Sequence, residues 1–488
     1  MLGRPVRVED HGIYQECGGK AQPQCFGIGG KPSMDERQHR RERWDSGKDQ
    51  EVRWSEESNV RPHRVAVHTA VTASRAVIRS RSVPFSSQVW RILAPSPAAT
   101  SQLQVPEEFS EPPIGINPGT PLLYTRVFSP MQNKYPIGIL GATGMVGQRY
   151  IQLLEDHPWF EVAWLAASDR SSGKAYGEAA KWRLDTPLPD RIARMPVSAA
   201  DPAGAPRIVF ASVDAAFARE LEPKFAEAGC AVLSNSSAFR MAPNVPLVIP
   251  EVNADHLHLI EEQHSRKQSG GYMVTNPNCS TIGLVMALKP LEERFGIEQI
   301  FVTTMQAVSG AGYPGVASMD ILDNVVPYIG SEEEKMEAET LKLLGKMETH
   351  TVAPLPAKIT AHCNRVPVVD GHTECVSIKF RKPATRDEIL TAWDDFKPLA
   401  GMGLPFAPRQ PVQFAEQPDR PQPRLDRNRE RGMAVTVGRL RPCGLLDWKF
   451  VLLSHNTVRG AAGATILNAE LLASLGKLEQ VAESVTRA

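Results

Sequence analysis

Residues 135–154 read Tyr135-Pro-Ile-Gly-Ile-Leu140, then Gly141-Ala-Thr143-Gly144-Met145-Val146-Gly147, then Gln-Arg-Tyr-Ile-Gln-Leu-Leu154. A short apolar run passes through three glycines into an amphipathic helical pattern. A tight turn between a strand and a helix carries backbone N–H groups and the positive helix end up to a pyrophosphate. The spacing is Gly-x-x-Gly-x-x-Gly rather than the commoner Gly-x-Gly-x-x-Gly, so the strand–turn–helix context carries the reading, not the glycine count. On that ground Gly141, Thr143, Gly144, Met145 and Val146 are dinucleotide-binding candidates. The alternative is a glycine-rich turn of any α/β protein.

From this stretch onward, short apolar runs alternate with longer helical patterns, which predicts a parallel α/β sheet. Strands are expected at Tyr135–Leu140, Phe160–Ala167, Arg207–Val213, Ala231–Asn235, Leu247–Pro250 and Tyr272–Asn276. Val302–Ala307, Glu374–Phe380 and Ala434–Val437 are expected as strands of a second unit, and the proline- and charge-rich stretch Leu404 to Arg431 as a loop within it. After the second strand, Ser168-Asp169-Arg170-Ser171-Ser172 offers an arginine and hydroxyls where an NAD enzyme would present an acid to the ribose diol. Ser168, Arg170 and Ser171 therefore suit the 2′-phosphate of NADP. Asp169 is the feature that would favour NAD.

The string Val274-Thr-Asn-Pro-Asn278-Cys279-Ser-Thr-Ile-Gly283 sets a cysteine between a strand and a helix. Ser280 or Thr281 is expected to cap that helix, whose N-terminal end would lower the thiol pKa. A buried, inert cysteine is the ordinary alternative, but the polar Asn-Pro-Asn lead-in is unsuited to a packed core. A thiolate beside a nicotinamide site points to thioester formation coupled to hydride transfer at a carbonyl. The candidate base is His372, in Arg365-Val-Pro-Val-Val-Asp-Gly-His372, where it follows a glycine turn.

These motifs lie in a chain of 488 residues with 55 Lys+Arg against 55 Asp+Glu and 42% hydrophobic residues. Balanced charge argues against nucleic-acid binding, and no apolar run approaches the roughly 20 residues that span a bilayer. Seven scattered cysteines, with no Cys-x-x-Cys pair to suggest zinc, predict free thiols, a reducing compartment and no metal. The first 130 residues lack the later periodicities and are expected to be a disordered extension. Between Ser58 and Pro106 there are arginines but no Asp, Glu or Lys, a composition that suits an organelle transit peptide, although the stretch is internal. A dispensable tail, with Met131 as an alternative start, is the other reading. The enzyme itself is expected in the cytoplasm, with organelle targeting left open.

The region 135–488 resembles aspartate-semialdehyde dehydrogenase, in particular the fungal and archaeal branch. The strings that carry the resemblance are Gly-Ala-Thr-Gly-Met-Val-Gly, Ser-Asn-Ser-Ser-Ala-Phe-Arg240, Asn-Pro-Asn-Cys279-Ser-Thr, Thr-Thr-Met-Gln306-Ala-Val-Ser-Gly-Ala-Gly, Arg365-Val-Pro-Val with His372, and Asn456-Thr-Val-Arg-Gly-Ala-Ala-Gly. The resemblance implies a Rossmann NADP domain over 131–278 plus 456–488, and an α+β catalytic and dimerisation domain over 279–455. It implies reductive dephosphorylation of L-4-aspartyl phosphate, on the route to threonine, methionine, isoleucine and lysine, by a homodimer or homotetramer. Cys279 would be the nucleophile, His372 the acid/base and Gln306 the residue that orients the acyl intermediate. Arg365 would clamp the substrate carboxylate and Glu339 face its amino group, while Arg240, Lys342 and Asn278 would bind the phosphate. Ser309, Gly310 and Asn456 would join the cofactor site. N-acetyl-glutamyl-phosphate reductase and a malonyl-CoA-type reductase share this architecture, but neither needs an acid opposite a free amine. A catalytically silent NADP-binding regulatory protein is the alternative from another class, against which the set Cys279, Gln306 and His372 stands.

Overall fold

The computed structural model describes residues 134–479. The extension expected over residues 1–130 lies outside them. The first sheet is built from β1 (Tyr135–Leu140), β2 (Phe160–Ala166), β3 (Val197–Ser198), β4 (Ile208–Ala211), β5 (Ala231–Ser234) and β6 (Tyr272–Thr275). All neighbours are parallel, in the order β3-β2-β1-β4-β5-β6. This is the doubly wound Rossmann order, and its reversal between β1 and β4 opens a crevice at the carboxyl ends of those strands. Ile137, Ile139, Phe160, Phe210 and Leu233 are buried in one core with Tyr150 from the helix Met145–Leu154. The late helix Gly463–Ser474 adds Ile466, Leu467 and Leu471 to that core and is apolar nearly all round, as a helix covered on every side must be.

The second sheet is mixed, and its strands run in the order Lys358–Arg365, Ile297–Gln306, His372–Phe380, Trp448–Ser454, Val435–Pro442, Val412–Ala415. The two outer pairs are parallel and the three inner pairs antiparallel. The helix Cys279–Phe295 covers one face, burying Ile282, Val285, Met286 and Leu291 against Val302, Val376, Ile378 and Leu452. Helix and sheet approach so closely that a Cβ on Gly283 would lie 2.6 Å from Ser454 Oγ. The chain thus leaves the first sheet at β6, enters this helix at Cys279 and lies over the second sheet.

Two expectations are corrected. Leu247–Pro250 is not a strand: it makes a single bridge, Leu247 to Thr275, and Pro250 opens the short helix Pro250–Asn253. Its ladder groups are satisfied by Asn253, whose Nδ2 donates to Leu247 O (2.8 Å) and whose Oδ1 accepts from Ile249 N–H (2.9 Å). The stretch Leu404 to Arg431 is not simply a loop, for it contains the strand Val412–Ala415 and the helical turn Pro423–Asp426. Its charges neutralise one another around the buried Asp426 carboxylate, which pairs with Arg420 and Arg429. The strands Lys358–Arg365 and Trp448–Ser454 were not foreseen.

That stretch also reaches the first core. Leu404 and Phe406 pack into it, and the Phe406 N–H donates to both oxygens of Glu470 at 2.9 and 3.0 Å. His157 accepts at Nδ1 from the N–H groups of Trp159 and Phe160, so its neutral ring carries the proton on Nε2, 2.8 Å from Glu470 Oε1. Burial pushes Glu470 up to about 8 and His157 down to about 4. Replacing Glu470 with Ala strands two buried donors and is expected to destabilise the protein by about 2–4 kcal/mol. Equilibrium guanidinium unfolding measures it, and an unshifted midpoint would rule out this role for Glu470.

Candidate active site

β6 ends at Thr275, and Asn276-Pro277-Asn278 turns the chain into the helix that begins at Cys279. The cap is Asn278, not Ser280 or Thr281: its Oδ1 accepts from the Ser280 and Thr281 N–H groups at 2.8 and 3.3 Å, while its Nδ2 donates to Glu332 Oε1 at 2.8 Å. From the other side, the π-helical turn Val458–Ala462 presses its backbone against the cysteine, and a Cβ on Gly460 would lie 2.7 Å from Cys279 Cβ. Only glycine fits there.

His372, the first residue of its strand, brings Nε2 to 3.2 Å from Cys279 Sγ. The Ala307 N–H donates to Nδ1 at 3.0 Å. An N–H group can only donate, so the neutral ring holds its proton on Nε2 and offers it to the sulfur. Burial, with Arg365 and His455 nearby, lowers His372 to about 3. Burial and the Glu332 carboxylate raise the Cys279 thiol to about 12, against Arg365 and Arg240, which pull it down. The expectation of a lowered thiol pKa at this helix end is therefore not met in this state, because burial and the Glu332 carboxylate outweigh the cations nearby. The resting pair is a neutral thiol and a neutral imidazole.

The other candidates surround this pair. Gln306 ends β7 (Ile297–Gln306), and Arg365 ends the adjacent parallel strand in register with it; Arg365 Nη1 donates to Ala307 O at 2.8 Å. Gly310 lies under both Arg365 and His372, and a Cβ there would come within 2.8 Å of Arg365 Nη1 and 3.1 Å of His372 Cε1. Arg240 pairs with Glu339 at 3.0 Å and donates to Asn235 O at 2.7 Å. The second Glu339 oxygen accepts from the Asn278 N–H at 2.6 Å. Lys342, lowered to about 8 by burial, points Nζ at the carbonyls of Arg240, Ala242 and Val245. Of the charged groups assigned to the substrate, Arg240 and Glu339 thus hold one another in this state, while Lys342 and Arg365 are held by backbone carbonyls.

Sequence reasoning passed over Glu332, which is buried, holds Asn278 and acts electrostatically on both Cys279 and Arg365. The signal was available: Glu332 and Glu339 are seven residues apart, two turns on one helix face. Gly460 and Glu374 were also missed. Glu374 is fully buried two residues beyond His372, and burial together with Glu332 raises its pKa well above the usual carboxylate range.

At the first sheet, Gly141 has φ +87°, and a Cβ there would lie 2.5 Å from Ser212 O. A Cβ on Gly147 would lie 2.4 Å from Gly141 O. Gly144 is the N-cap of Met145–Leu154, and no side chain caps that helix, which leaves its N-terminal N–H groups for an anion. Thr143, Met145 and Val146 are half-buried around this turn. Ser168 and Arg170 are exposed just beyond the carboxyl end of β2, with Ser171 N–H closing a turn onto Ser168 O at 2.8 Å. Asn456 lies beside the thiol site: its Nδ2 donates to Ser309 Oγ and its Oδ1 accepts from Gly371 N–H, both at 2.8 Å. The uncapped helix end and the close approach of the glycines fit a dinucleotide, and Arg170 is exposed at the same carboxyl edge of the sheet.

Residues 136–260 match the family described as semialdehyde dehydrogenase, NAD binding domain, and residues 288–459 match its dimerisation domain. An aspartate-semialdehyde dehydrogenase of Methanothermobacter thermautotrophicus is 54% identical over 341 residues, which is 69% of this chain and 98% of that protein. One from Schizosaccharomyces pombe is 49% identical over 70% of this chain and 98% of its own length. The crystal structure of the Candida albicans enzyme with NADP aligns with a TM-score of 0.65 and 45% identity, covering 70% of this chain and 99% of that one. With the parallel sheet, the uncapped glycine turn and the Cys279–His372 pair in place, the chain belongs to the aspartate-semialdehyde dehydrogenase family.

Proposed function

We propose that this chain catalyses the NADP-dependent reductive dephosphorylation of L-4-aspartyl phosphate to L-aspartate 4-semialdehyde through a thioester on Cys279. The observation that carries this reading is the 3.2 Å contact of Cys279 Sγ with His372 Nε2, set beside Arg365 and the Arg240–Glu339 pair. Cys279 attacks the acyl carbon. As the C–S bond forms, the thiol proton passes to His372 Nε2, whose own ring proton has shifted to Nδ1, and the resulting imidazolium stays against the sulfur. Taking a proton onto Nε2 requires the Ala307 N–H to release Nδ1, so acid/base work by this ring goes with a small movement of the Ala307 peptide. Gln306 orients the acyl group, and phosphate leaves to give the thioester. When bound, NADPH would supply the hydride for reduction of the thioester carbonyl, and Gly141, Thr143, Gly144, Met145, Val146, Ser168, Arg170, Ser171, Ser309, Gly310 and Asn456 are the residues that would hold it. The thiohemiacetal on Cys279 then collapses: its C–S bond breaks, the semialdehyde leaves, and the His372 imidazolium returns a proton to the sulfur.

Substrate binding is an exchange of partners. Arg365 takes the substrate carboxylate through its planar fork. The phosphate, helped by Asn278 and Lys342, displaces Glu339 from Arg240, and Glu339 turns to the incoming ammonium. Two carboxylates, Glu332 and Glu339, in one small site suit a free amine and disfavour an N-acetylated substrate. We assign 131–278 with 456–488 to cofactor binding and 279–455 to catalysis and dimerisation. The exposed Met319, Leu322, Val325 and Tyr328, all in the second of these, support association as a homodimer or homotetramer.

The purified protein is expected to reduce NADP when given aspartate semialdehyde and phosphate together, read at 340 nm. Cys279→Ala should abolish turnover and leave NADP affinity within about twofold, and full activity in that variant would remove Cys279 from the mechanism. Because burial holds the thiol near 12, alkylation of Cys279 in the free protein should rise about tenfold per pH unit from pH 6 to 9. A plateau below pH 7 would instead reveal a preformed thiolate–imidazolium pair.

A further inference from the structure

The arginine-rich stretch that follows Leu404 has no part in the chemistry above, yet it touches the turn that presents His372. Arg427 Nη1 donates to the backbone carbonyl of Asp370 at 3.1 Å. The next residue, Gly371, has φ +105°, and a Cβ there would meet Pro423 Cβ at 3.2 Å, Leu453 Cδ1 at 3.3 Å and Arg427 Cβ at 3.5 Å. On its other side the Gly371 N–H is held by Asn456 Oδ1 at 2.8 Å. His372 follows immediately. A glycine at positive φ is the most pliable link in a backbone, and here it adjoins the ring that must meet the sulfur.

The segment is built to be rigid. Asp426, 1% exposed, accepts from Arg420 Nε at 2.6 Å and from the Gln422 N–H at 2.8 Å, and pairs with Arg429 at 2.9 Å. Burial works to raise its pKa, but Arg420, the Gln422 N–H and Arg429 bring it below the usual carboxylate value, so Asp426 stays an anionic hub. The Asp370 carboxylate meanwhile lies 4.0 Å from Arg149 on the dinucleotide helix.

We propose that Arg427, next in the chain to the Asp426 hub, is a positioning residue for His372: by gripping the Asp370 carbonyl and packing on Gly371 it sets the distance from Nε2 to Cys279 Sγ. This rests on the catalytic roles given to Cys279 and His372 under the proposed function. Orienting groups of this kind commonly change rates by about 10–100-fold without touching substrate.

The test uses the full chain with Arg427→Ala, His372→Asn, the double variant, and Arg424→Ala as a control on an exposed arginine of the same segment. Arg427→Ala should lower kcat about 10–100-fold with KM for aspartate semialdehyde and NADP affinity within about twofold, and Arg424→Ala should match wild type. In the His372→Asn background, Arg427→Ala should add little further loss, because both act through one ring. Added guanidinium should restore part of the Arg427→Ala activity. Should that variant be unstable, Arg427→Met keeps the stem against Gly371, removes the donor and carries the same expectation. An unchanged kcat, or losses that multiply in the double variant, would overturn the proposal. Carbamidomethylation of Cys279 by iodoacetamide, followed by peptide mass mapping, needs no substrate and should slow severalfold in Arg427→Ala. If wild type fails to turn over aspartate semialdehyde, the functional reading falls, and the alkylation comparison still decides the role of Arg427.

Discussion

The contact between Cys279 and His372 is the constraint on which the rest of the molecule depends. The cysteine belongs to the chain as it leaves a parallel sheet, and the histidine to the first position of a strand in a different, mixed sheet. Holding two such atoms within hydrogen-bond reach fixes the relation of the sheets to within a fraction of an ångström. Three glycines make the approach available: Gly460 lets a π-helical turn close on the cysteine, Gly283 lets the helix lie on the strand, and Gly310 leaves room for Arg365 and the imidazole. Each is a place where a methyl group would push the reactive atoms apart.

Electrostatically the Cys279–His372 pair is kept neutral until it is used. Burial disfavours both thiolate and imidazolium, and the Ala307 N–H allows only one neutral tautomer of the ring. An anionic sulfur with no substrate present would be an oxidation and alkylation hazard, so a thiol activated only in company is chemically safer.

Much of this was legible in the residues. β1 was read to the residue, because a short apolar run ending in Gly-x-x-Gly-x-x-Gly has few other solutions. Cys279 and His372 were both named, and the fold places them together. What escaped has a common physical reason. Asn278 out-competed Ser280 and Thr281 as cap because its side chain could satisfy two N–H groups and reach Glu332 as well, and that depends on a helix 54 residues away in sequence. Leu247–Pro250 looked like a strand because its apolar run is buried, but a side-chain amide replaced the ladder. The stretch after Leu404 looked like solvent-facing loop because its charges were counted separately, when in space they cancel around Asp426. Local pattern reveals an element when its partners are near in sequence, and misleads when tertiary contacts supply them.

With the substrate roles proposed for Arg240, Glu339 and Asn278, their arrangement would act as a filter on what the site accepts. A lone anion such as sulfate can take Arg240 only by stranding the Glu339 carboxylate in a buried position, and a lone amine meets the converse obstacle. A molecule that brings both charges at the right separation leaves nothing unpaired. Selectivity for a small zwitterionic acyl phosphate can thus arise from the site's own internal ion pair, without a pocket shaped around the substrate, and a useful inhibitor would have to carry both charges too.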